Sequence, residues 1–350
     1  MKIALDAMGG DDAPAATVAG GVLAAQRFGV DVVLVGQEEP LREELAKQRQ
    51  VPAGVSIVPA TQIIEMAEHP AQAVRQKRDA SMVVGMRLVK QGEAAAFVSA
   101  GNTGAAMASA LLVLGRIRGV ERPAIGALVP LSDGRVTLML DAGANADVRP
   151  SHLVQFAQMG AEYLRAALGV ANPRIGLLSN GEEPTKGSTL VQEVHALLTT
   201  SGLNFYGNVE GKDLFEGLVD VIVTDGFTGN VALKSVEGVL AMINRELRNA
   251  LTSHWYYIPG ALMVQPALRG MAKKFDYSEH GGAPLLGVNG VVIIAHGRSD
   301  SNAIANSIRV AAEAVRSGMQ DTLRHAFAGA GESASDGESE AEVTIAAPEH

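Results

Sequence analysis

The sequence predicts an α/β fold in which helices cover both faces of a mixed, mostly parallel sheet. Short apolar runs that are typical of buried strands alternate with helical patterns from the first residues onward, and this alternation indicates a parallel sheet. Three glycine-rich loops, at residues 99–104, 179–187 and 225–230, each follow such a run and precede a helical pattern. With 350 residues, the chain is long enough for one large domain or two smaller ones.

The first part of the chain supplies the regular alternation. Strands are predicted at residues 3–5, 31–36, 55–58 and 94–98, and helices at residues 15–28, 38–48 and from Pro70 to about Lys90. Pro70 suits the first position of a helix, because its fixed φ fits there and its missing N–H is not needed.

The later part adds antiparallel pairs, so we expect a mixed sheet. Residues 125–131 and 136–140 flank Ser132, Asp133 and Gly134 and indicate a hairpin. A second hairpin is predicted from residues 285–288 and 291–295, joined by Asn289 and Gly290, a pair favoured in type I′ turns. Further strands are predicted at residues 175–178 and 219–224, and further helices at residues 228–253 and 301–327.

One segment departs from this pattern. A long helix to about residue 253 leads into residues 254–264, which hold the one Trp of the chain, and a second helix follows from Pro266. The pattern predicts a helical hairpin at about residues 240–276 with an apolar, aromatic tip. The tip packs against a dimer partner or touches an anionic membrane surface, where Trp, Tyr and flanking cations are favourable. The membrane interpretation assigns the contact to Trp255, Tyr256, Ile258, Leu262 and Met263.

Composition excludes several classes of function. A net charge of −9 and 4% aromatic residues argue against a nucleic-acid partner. The chain has no cysteine, which excludes disulfides, thiolate zinc sites and cysteine acyl intermediates. We see no signal sequence and no apolar run of membrane-spanning length, so we expect a cytoplasmic protein. Residues 329–350 carry six carboxylates and no Lys or Arg; we expect a disordered acidic tail after a single catalytic domain, residues 1–328.

The glycine-rich loops indicate an anion site, with phosphate as the first candidate. Backbone N–H groups and a helix dipole meet at the start of a helix after a strand. Lys186 lies in the second loop and is the first phosphate candidate; the alternative is a solvated surface Lys. Asn102 and Thr103 are either donors to the anion or caps of the next helix. Asn230 and Lys234 lie one helical turn apart and share a face, so Lys234 is a second clamp or an ordinary surface residue.

Carboxylates and a histidine follow other predicted strands. Asp6, Asp141 and Asp225 lie at strand ends, where sites form in parallel sheets, and each either takes part in chemistry or binds loop N–H groups. His296 is the best histidine candidate for proton transfer or thiolate stabilisation, with a structural hydrogen bond as the alternative. The Lys and Asn residues beside these carboxylates argue against a metal site, and we expect neither metal nor cofactor.

Seven short motifs lie in one order along about residues 1–325. They are Asp-Ala-Met-Gly-Gly-Asp at 6–11, Ser-Ala-Gly-Asn-Thr-Gly-Ala at 99–105, Asp-Ala-Gly-Ala-Asn at 141–145, Ser-Asn-Gly-Glu-Glu-Pro-Thr-Lys-Gly at 179–187, Asn-Val-Glu-Gly at 208–211, Asp-Gly-Phe-Thr-Gly-Asn at 225–230 with Lys234, and Gly-Gly-Ala-Pro-Leu-Leu-Gly at 281–287 with His296. This order closely resembles the PlsX-type phosphate acyltransferases.

The resemblance implies transfer of a fatty acyl group from acyl carrier protein to inorganic phosphate, which yields acyl phosphate for phospholipid synthesis. It implies the three-layer α/β/α sandwich also found in phosphotransacetylases and isopropylmalate-type dehydrogenases. It further implies a homodimer that is attached loosely to the cytoplasmic membrane face, near the membrane acyltransferase that uses the product. The matching positions that are expected to bind substrate, besides the residues already named, are Ser99, Gly104, Asn180, Gly181 and Asn145.

Three other functions stay open at this point. A phosphotransacetylase acting on small acyl-CoA would need nearly the same site. A decarboxylating dehydrogenase would share the fold class but would need Asp metal ligands with arginines, and no such cluster is visible in the sequence. A scaffold that recruits membrane enzymes through the helical hairpin would leave the polar glycine loops without a purpose.

Overall fold

The computed structural model describes residues 1–275 and 281–328, with the backbone alone for Trp255, Arg269 and residues 271–275. The predicted acidic tail therefore lies outside the described residues. The described strands form one 11-stranded sheet in the order β3-β2-β1-β4-β11-β10-β5-β6-β9-β7-β8. Their bounds are β1 Lys2–Asp6, β2 Asp31–Gly36, β3 Val55–Pro59, β4 Ala96–Ser99, β5 Ala124–Pro130, β6 Val136–Leu140, β7 Ile175–Leu178, β8 Phe205–Val209, β9 Val221–Val223, β10 Ala283–Leu286 and β11 Val291–Ile294.

The sheet reverses its strand direction near the middle. Strands β1 to β4 and β11 are parallel to one another, and so are β6 to β9. Between these two halves, β10 is antiparallel to both β11 and β5, and β5 is antiparallel to β6. The strands of the first half, β1 to β4 and β11, and those of the second half, β6 to β9, therefore have their carboxyl ends on opposite sides of the sheet. We call these two sides the first edge and the second edge, and the loops that follow the strands lie there.

Helices cover both faces, as the alternation predicted. The described helices are α1 Ala15–Phe28, α2 Glu38–Ala46, α3 Pro70–Gln76, α4 Ser81–Lys90, α5 Thr103–Ser109, α6 Pro150–Leu168, α7 Thr189–Thr199, α8 Gly226–Thr252, α9 Ile258–Phe275, α10 Ser301–Arg316 and α11 Met319–Ala328. One apolar core joins the sheet to α1, α2, α6, α7, α10 and α11. Two cores on the other face hold α3, α4 and α5 over the first half and the start of α8 over the second. The three-layer α/β/α prediction is confirmed.

Two helices that the sequence predicted as continuous are broken. Between α3 and α4, Lys77 leaves the helical region with φ −100° and ψ 69°, and its ammonium group donates to the Ile63 carbonyl at 2.7 Å. The break brings the Ser81 hydroxyl to Asp6, at 2.6 Å from Oδ1. The predicted closing helix is divided into α10 and α11 at Gly318, whose φ of +68° favours glycine.

Two turns also differ from the sequence prediction. In the β10–β11 hairpin, Pro284 pairs with Ile293, whereas a two-residue turn at Asn289 and Gly290 would pair it with Ala295. The prediction of that turn is therefore wrong. Asn289 instead donates from its backbone N–H to Gly115 O at 2.9 Å and from Nδ2 to Arg116 O at 2.6 Å. After α8, the chain turns within residues 253–257 and α9 begins at Ile258, eight residues before the predicted start. Pro259 therefore lies in the first turn of α9, where a missing N–H costs little.

Within the described part of the chain, no helix is both long enough and apolar enough to cross a membrane.

Candidate active site

The carboxylate of Asp141, at the carboxyl end of β6, organises the loop that follows it. Its Oδ1 accepts hydrogen bonds from the N–H groups of Ile125, Gly143 and Ala144 at 3.0–3.1 Å. Its Oδ2 accepts from the backbone N–H and the side-chain amide of Asn145, at 2.7 and 2.9 Å. Burial raises the pKa of Asp141, and these hydrogen bonds oppose the rise. Because both oxygens are occupied and the residue is fully buried, we assign Asp141 and Asn145 to loop organisation.

Helix α8 begins against this loop. The Gly226 N–H donates to the Asn145 carbonyl at 2.7 Å. A Cβ at Gly226 would lie 2.7 Å from Asp141 Oδ2, and one at Gly229 would lie 2.1 Å from the Asp141 carbonyl oxygen. The two glycines of the Asp-Gly-Phe-Thr-Gly motif are therefore required by the close approach of the helix. Asp225 caps α8 by accepting from the Thr228 N–H and hydroxyl, at 2.8 and 2.7 Å.

A pocket of about 370 Å³ opens between the first turns of α7 and α8. It lies at the carboxyl ends of β7 and β9, and both helices direct the positive ends of their dipoles to this edge. The pocket has a polar side, formed by Ser179, Asn180, Ser188, Thr224, Asp225 and Thr228 with Gly187 and Gly211, and an apolar side formed by Leu153, Leu177, Leu178, Leu190 and Val191. This combination suits a ligand with an anionic group and an apolar part.

The loop at residues 179–187 is held in one shape by side chains from three directions. Asn180 Oδ1 accepts from the Gly187 N–H at 2.8 Å, which closes the loop. Asn208 Nδ2 donates to the Glu183 carbonyl at 2.8 Å, while Asn208 Oδ1 lies 3.0 Å from His195 Nδ1. Gln192 Nε2 donates to the carbonyls of Thr185 and Gly187. The loop therefore presents Lys186 from a fixed backbone.

Two polar groups of this loop have no partner within the described residues. Lys186 is exposed and its ammonium group makes no ion pair there; its stem lies over Gly181, where a Cβ would be 2.6 Å from Lys186 Cγ. The Ser179 hydroxyl is buried and makes no hydrogen bond, although the residue lines the pocket. The sequence predicted phosphate binding by the loop at residues 179–187 but did not single out Ser179 as a binding candidate; its place directly after β7 is the signal that points to it.

The predicted residues Asn230 and Lys234 lie in the first turns of α8, outside the pocket lining. The side chain of Asn230 packs beside Gly143, where a Cβ would be 3.6 Å from Asn230 Cγ. Lys234, one turn further along, is exposed and makes no ion pair in the described part of the chain. Lys186, Asp225 and Asn230 therefore belong to one edge of the sheet.

The predicted residues of the first half form a separate cluster at the opposite edge. Asp6 is fully buried, and burial raises its pKa against the hydrogen bonds of its neighbours. It accepts from the hydroxyls of Ser81 and Ser99 at 2.6 and 2.7 Å, and the Gly101 N–H donates to Ser99 Oγ at 3.1 Å. Asn102 caps α5 by accepting from the Ala105 N–H and donates to the Met66 carbonyl. These contacts fix loop shape.

His296 also belongs to this first edge. It follows β11, its Nδ1 accepts from the Arg298 N–H at 3.1 Å, and Gly297 O accepts from the Asp11 N–H at 2.8 Å. Thr103 is exposed at the start of α5, and Gly104 lies against Pro70. Strand polarity thus brings together two of the three glycine-rich loops and places the third, with His296, at the other edge. Among the described residues, no group of three or more His, Asp or Glu is arranged to hold a metal ion.

Comparison with known sequences finds close relatives over nearly the whole chain. A family model described as "Fatty acid synthesis protein" matches residues 1–322. A phosphate acyltransferase of Pelotomaculum thermopropionicum is 51% identical over 326 residues, which cover 93% of this chain and 94% of the relative. One of Myxococcus xanthus is 52% identical over 327 residues, which cover 92% of each chain. The matches span both halves of the sheet.

Solved structures with this fold are more distant in sequence. A phosphotransacetylase from Streptococcus pyogenes superposes with a TM-score of 0.59 at 19% identity, over 90% of this chain and 94% of that one. A branched-chain phosphotransacylase from Enterococcus faecalis gives 0.55 at 16% identity, over 90% and 99%. A 4-hydroxythreonine-4-phosphate dehydrogenase from Klebsiella pneumoniae gives 0.54 at 15% identity, over 90% and 99%. At such identities the likeness shows a shared fold alone.

We expect Asp141→Asn to destabilise the protein by about 3 kcal/mol. The side-chain NH₂ group of Asn would face N–H donors whose hydrogen bonds the carboxylate now accepts. The free energy of unfolding is measured by urea titration. Asp147→Asn, an exposed carboxylate in the same loop, is the matched control and should change it by less than about 0.5 kcal/mol. Equal stability of the two variants would contradict the role assigned to Asp141.

Proposed function

The chain belongs to the phosphate acyltransferase family, and from that premise we propose that it transfers a long-chain fatty acyl group from acyl carrier protein to inorganic phosphate. The family is one of acyltransferase enzymes, and its relatives cover nearly the full length of this chain. Acyl transfer to phosphate follows from the family. The carrier-bound donor, the long chain and the acyl phosphate product are the proposed part.

The proposed reaction is a direct displacement. A phosphate oxygen attacks the thioester carbonyl carbon, a C–O bond forms, the C–S bond breaks, and the thiolate leaves and takes up a proton. Phosphate is already an anionic nucleophile, so the protein contributes mainly by positioning and by stabilising charge. Neither an acyl-enzyme nor a cofactor is required by this scheme.

The observation that carries the proposal is the pair of unsatisfied groups beside the pocket. The Lys186 ammonium group has no ion-pair partner within the described residues, and the Ser179 hydroxyl is buried without a hydrogen bond. A buried hydroxyl without a hydrogen bond inside the protein is open to a partner from water or from a ligand. We assign Lys186 to charge neutralisation of phosphate and Ser179 to a hydrogen bond with one of its oxygens. Asp225 lines the same pocket and stays a predicted catalytic residue, although both of its carboxylate oxygens already accept from Thr228.

The roles of the remaining predicted residues follow from their distance to this pocket. Asn180, which lines the pocket, and Gly181, Asn230 and Lys234, which lie outside its lining, stay predicted phosphate or acyl contacts. Ser99, Asn102, Thr103, Gly104 and Asp6 stay predictions at the other edge, and the hydrogen bonds made by Ser99, Asn102 and Asp6 support a role in loop shape. His296 stays a predicted proton-transfer residue.

We also propose that the helical hairpin α8–α9 serves association. Its surface carries exposed apolar side chains in two groups: Val239, Met242 and Ile243 in the middle of α8, and Tyr256, Ile258, Leu262 and Met263 near the turn. Met263 is 83% exposed, and exposed apolar side chains that form one patch mark interaction sites. We assign the middle group to a second copy of the chain and the turn group to an anionic membrane surface on the cytoplasmic side, close to the enzyme that uses the product.

Lys186→Met should lower kcat/KM for phosphate by about 100-fold, which is the usual loss when one preorganised charge donor is removed from a transition state. Acyl phosphate is trapped with hydroxylamine while phosphate is varied at a fixed concentration of acyl-acyl-carrier-protein. Lys186→Arg should recover part of the loss, and Lys90→Met, an exposed lysine of α4, should retain full activity.

The same assay compares a carrier-bound donor with a CoA-bound donor that carries the same acyl chain. A higher kcat/KM for the carrier-bound donor supports the proposed function. Preference for a short acyl-CoA would favour a phosphotransacetylase, and turnover that does not depend on phosphate would refute phosphorolysis. Unchanged phosphate kinetics in Lys186→Met would remove Lys186 from the site.

For the hairpin, Ile258→Ser, Leu262→Ser and Met263→Ser together should abolish sedimentation with liposomes that contain anionic lipid, because a single apolar tip binds only weakly. Phosphorolysis in solution should persist. The matched variant carries Val239→Ser, Met242→Ser and Ile243→Ser and should lose the dimer, as measured by light scattering. If the turn variant still sediments, or if it becomes monomeric, the membrane assignment fails.

A further inference from the structure

A cluster of arginines lies at the same sheet edge as the pocket. Arg116, Arg118, Arg122 and Arg149 are all exposed. The first three belong to the segment between α5 and β5, and Arg149 directly precedes α6. We call these four residues the arginine edge. The only acids within the two segments, residues 115–123 and 146–150, are Glu121 and Asp147, so the edge is positive although the whole chain carries a net charge of −9.

The two segments are joined into one surface by hydrogen bonds. Glu121 Oε2 lies 3.0 Å from His152 Nε2 and accepts from the Ser151 hydroxyl at 3.2 Å. The Glu121 N–H donates to Gln155 Oε1 at 2.8 Å, and Gln155 Nε2 donates to the Gly119 carbonyl at 2.9 Å. The start of α6 is therefore fixed against the arginine segment, and the Glu121 carboxylate is engaged with α6.

The arginines themselves are left largely without acidic partners. Arg116 donates to the Glu121 carbonyl. Arg118, Arg122 and Arg149 make no ion pair with any residue in the described part of the chain. Arg122 directly follows Glu121, whose carboxylate contacts the His152 ring, and the Arg149 N–H donates to His152 Nδ1 at 3.1 Å. Burial lowers the pKa of His152, Glu121 opposes this effect, and the charges of Arg122 and Arg149 add to it. These exposed guanidinium groups without acidic partners give the surface a locally positive potential that an anionic partner can meet.

The arginine edge adjoins the pocket through α6. Leu153, which lines the pocket, is the next residue after His152, whose ring contacts Glu121. On the other side, Asn145 Nδ2 donates to the Pro123 carbonyl at 2.8 Å, which ties the arginine segment to the Asp141 loop. A macromolecule bound at the arginines would therefore lie within one helical turn of the pocket wall.

We propose that the arginine edge is the docking surface for an acidic protein face, that of the carrier which delivers the acyl thioester. This inference rests on the proposed function. Charge complementarity identifies the partner: a folded protein with an acidic surface can meet all four arginines, whereas inorganic phosphate is too small to do so. Exposed charges of this kind raise the rate of association and fix orientation more than they add affinity, which suits a carrier that must leave after each turnover.

The test is a charge reversal with a matched control. The docking variant carries Arg118→Glu, Arg122→Glu and Arg149→Glu; the control carries Lys2→Glu, Arg49→Glu and Lys90→Glu, three exposed cations of the first half with the same change in net charge. Acyl phosphate formation is measured with one acyl chain on either acyl carrier protein or pantetheine, an uncharged small donor. Binding of the carrier is measured directly by biolayer interferometry at low and at physiological salt.

The docking variant should show at least about a tenfold increase in KM for the carrier-bound donor and an equal loss of carrier binding, with unchanged KM for acyl-pantetheine and for phosphate. Added salt should weaken carrier binding in the wild type and in the control. Equal kinetics of the docking and control variants would overturn the proposal. So would an equal loss with both donors, or a loss of liposome sedimentation with carrier binding retained, which would make the edge a membrane contact. Failure of the proposed function is a separate result: no phosphate-dependent turnover by the wild type with either donor.

Discussion

The buried carboxylate of Asp141 is the contact on which the second half of the molecule depends. It accepts hydrogen bonds from β5 and from the loop that follows β6, and that loop in turn receives α8 through the Gly226 N–H. The same loop reaches Pro123 through Asn145. One group of hydrogen bonds thereby sets the position of the pocket, the direction in which the helical hairpin leaves the domain, and the position of the arginine edge. Glycine is needed at 226 and 229 because a side chain at either position would clash with Asp141 and keep α8 away from the loop.

Strand polarity places similar motifs at opposite edges of the sheet. At the first edge, Asp6 accepts from Ser81 and Ser99, and the amide of Asn102 is used in capping and in a contact with Met66. Side chains whose hydrogen bonds are completed within the protein support its shape and leave little for a substrate. At the second edge, the hydroxyl of Ser179 is buried without a partner. Glu68 Oε2, whose residue contacts Asn102 at the first edge, is also buried without a hydrogen bond, so unsatisfied polar groups alone do not separate the two edges.

The sequence sufficed for the elements whose signal is local. The apolar patterns predicted α1 and β2 with the observed bounds, the turn residues 132–134 predicted the β5–β6 hairpin, and the alternation predicted the three layers. The errors arise where distant residues decide. The predicted helix is interrupted before Ser81, whose hydroxyl donates to Asp6, a partner 75 residues away in the chain. Asn289 does not form the predicted turn, and its backbone and side-chain N–H groups donate to the carbonyls of residues 115 and 116. The direction of β10 depends on β5 as well as on β11, so the sequence could not show that the first glycine loop lies at the other edge.

An acidic chain that binds anions must concentrate its basic residues locally. The second edge carries two such groups, Lys186 beside the pocket and the arginine edge on the outer surface. Lys186 stands on a loop fixed by Asn180, Asn208 and Gln192, so a phosphate ion would meet a preorganised charge at little reorganisation cost. The arginines are exposed, and at physiological salt their field is screened within about 8 Å. They therefore suit the capture of a large partner and its release, whereas the fixed lysine suits chemistry. In the proposed function, placing carrier docking and phosphate binding on separate segments, joined through α6 and the Asp141 loop, would let the carrier exchange without disturbing the phosphate site.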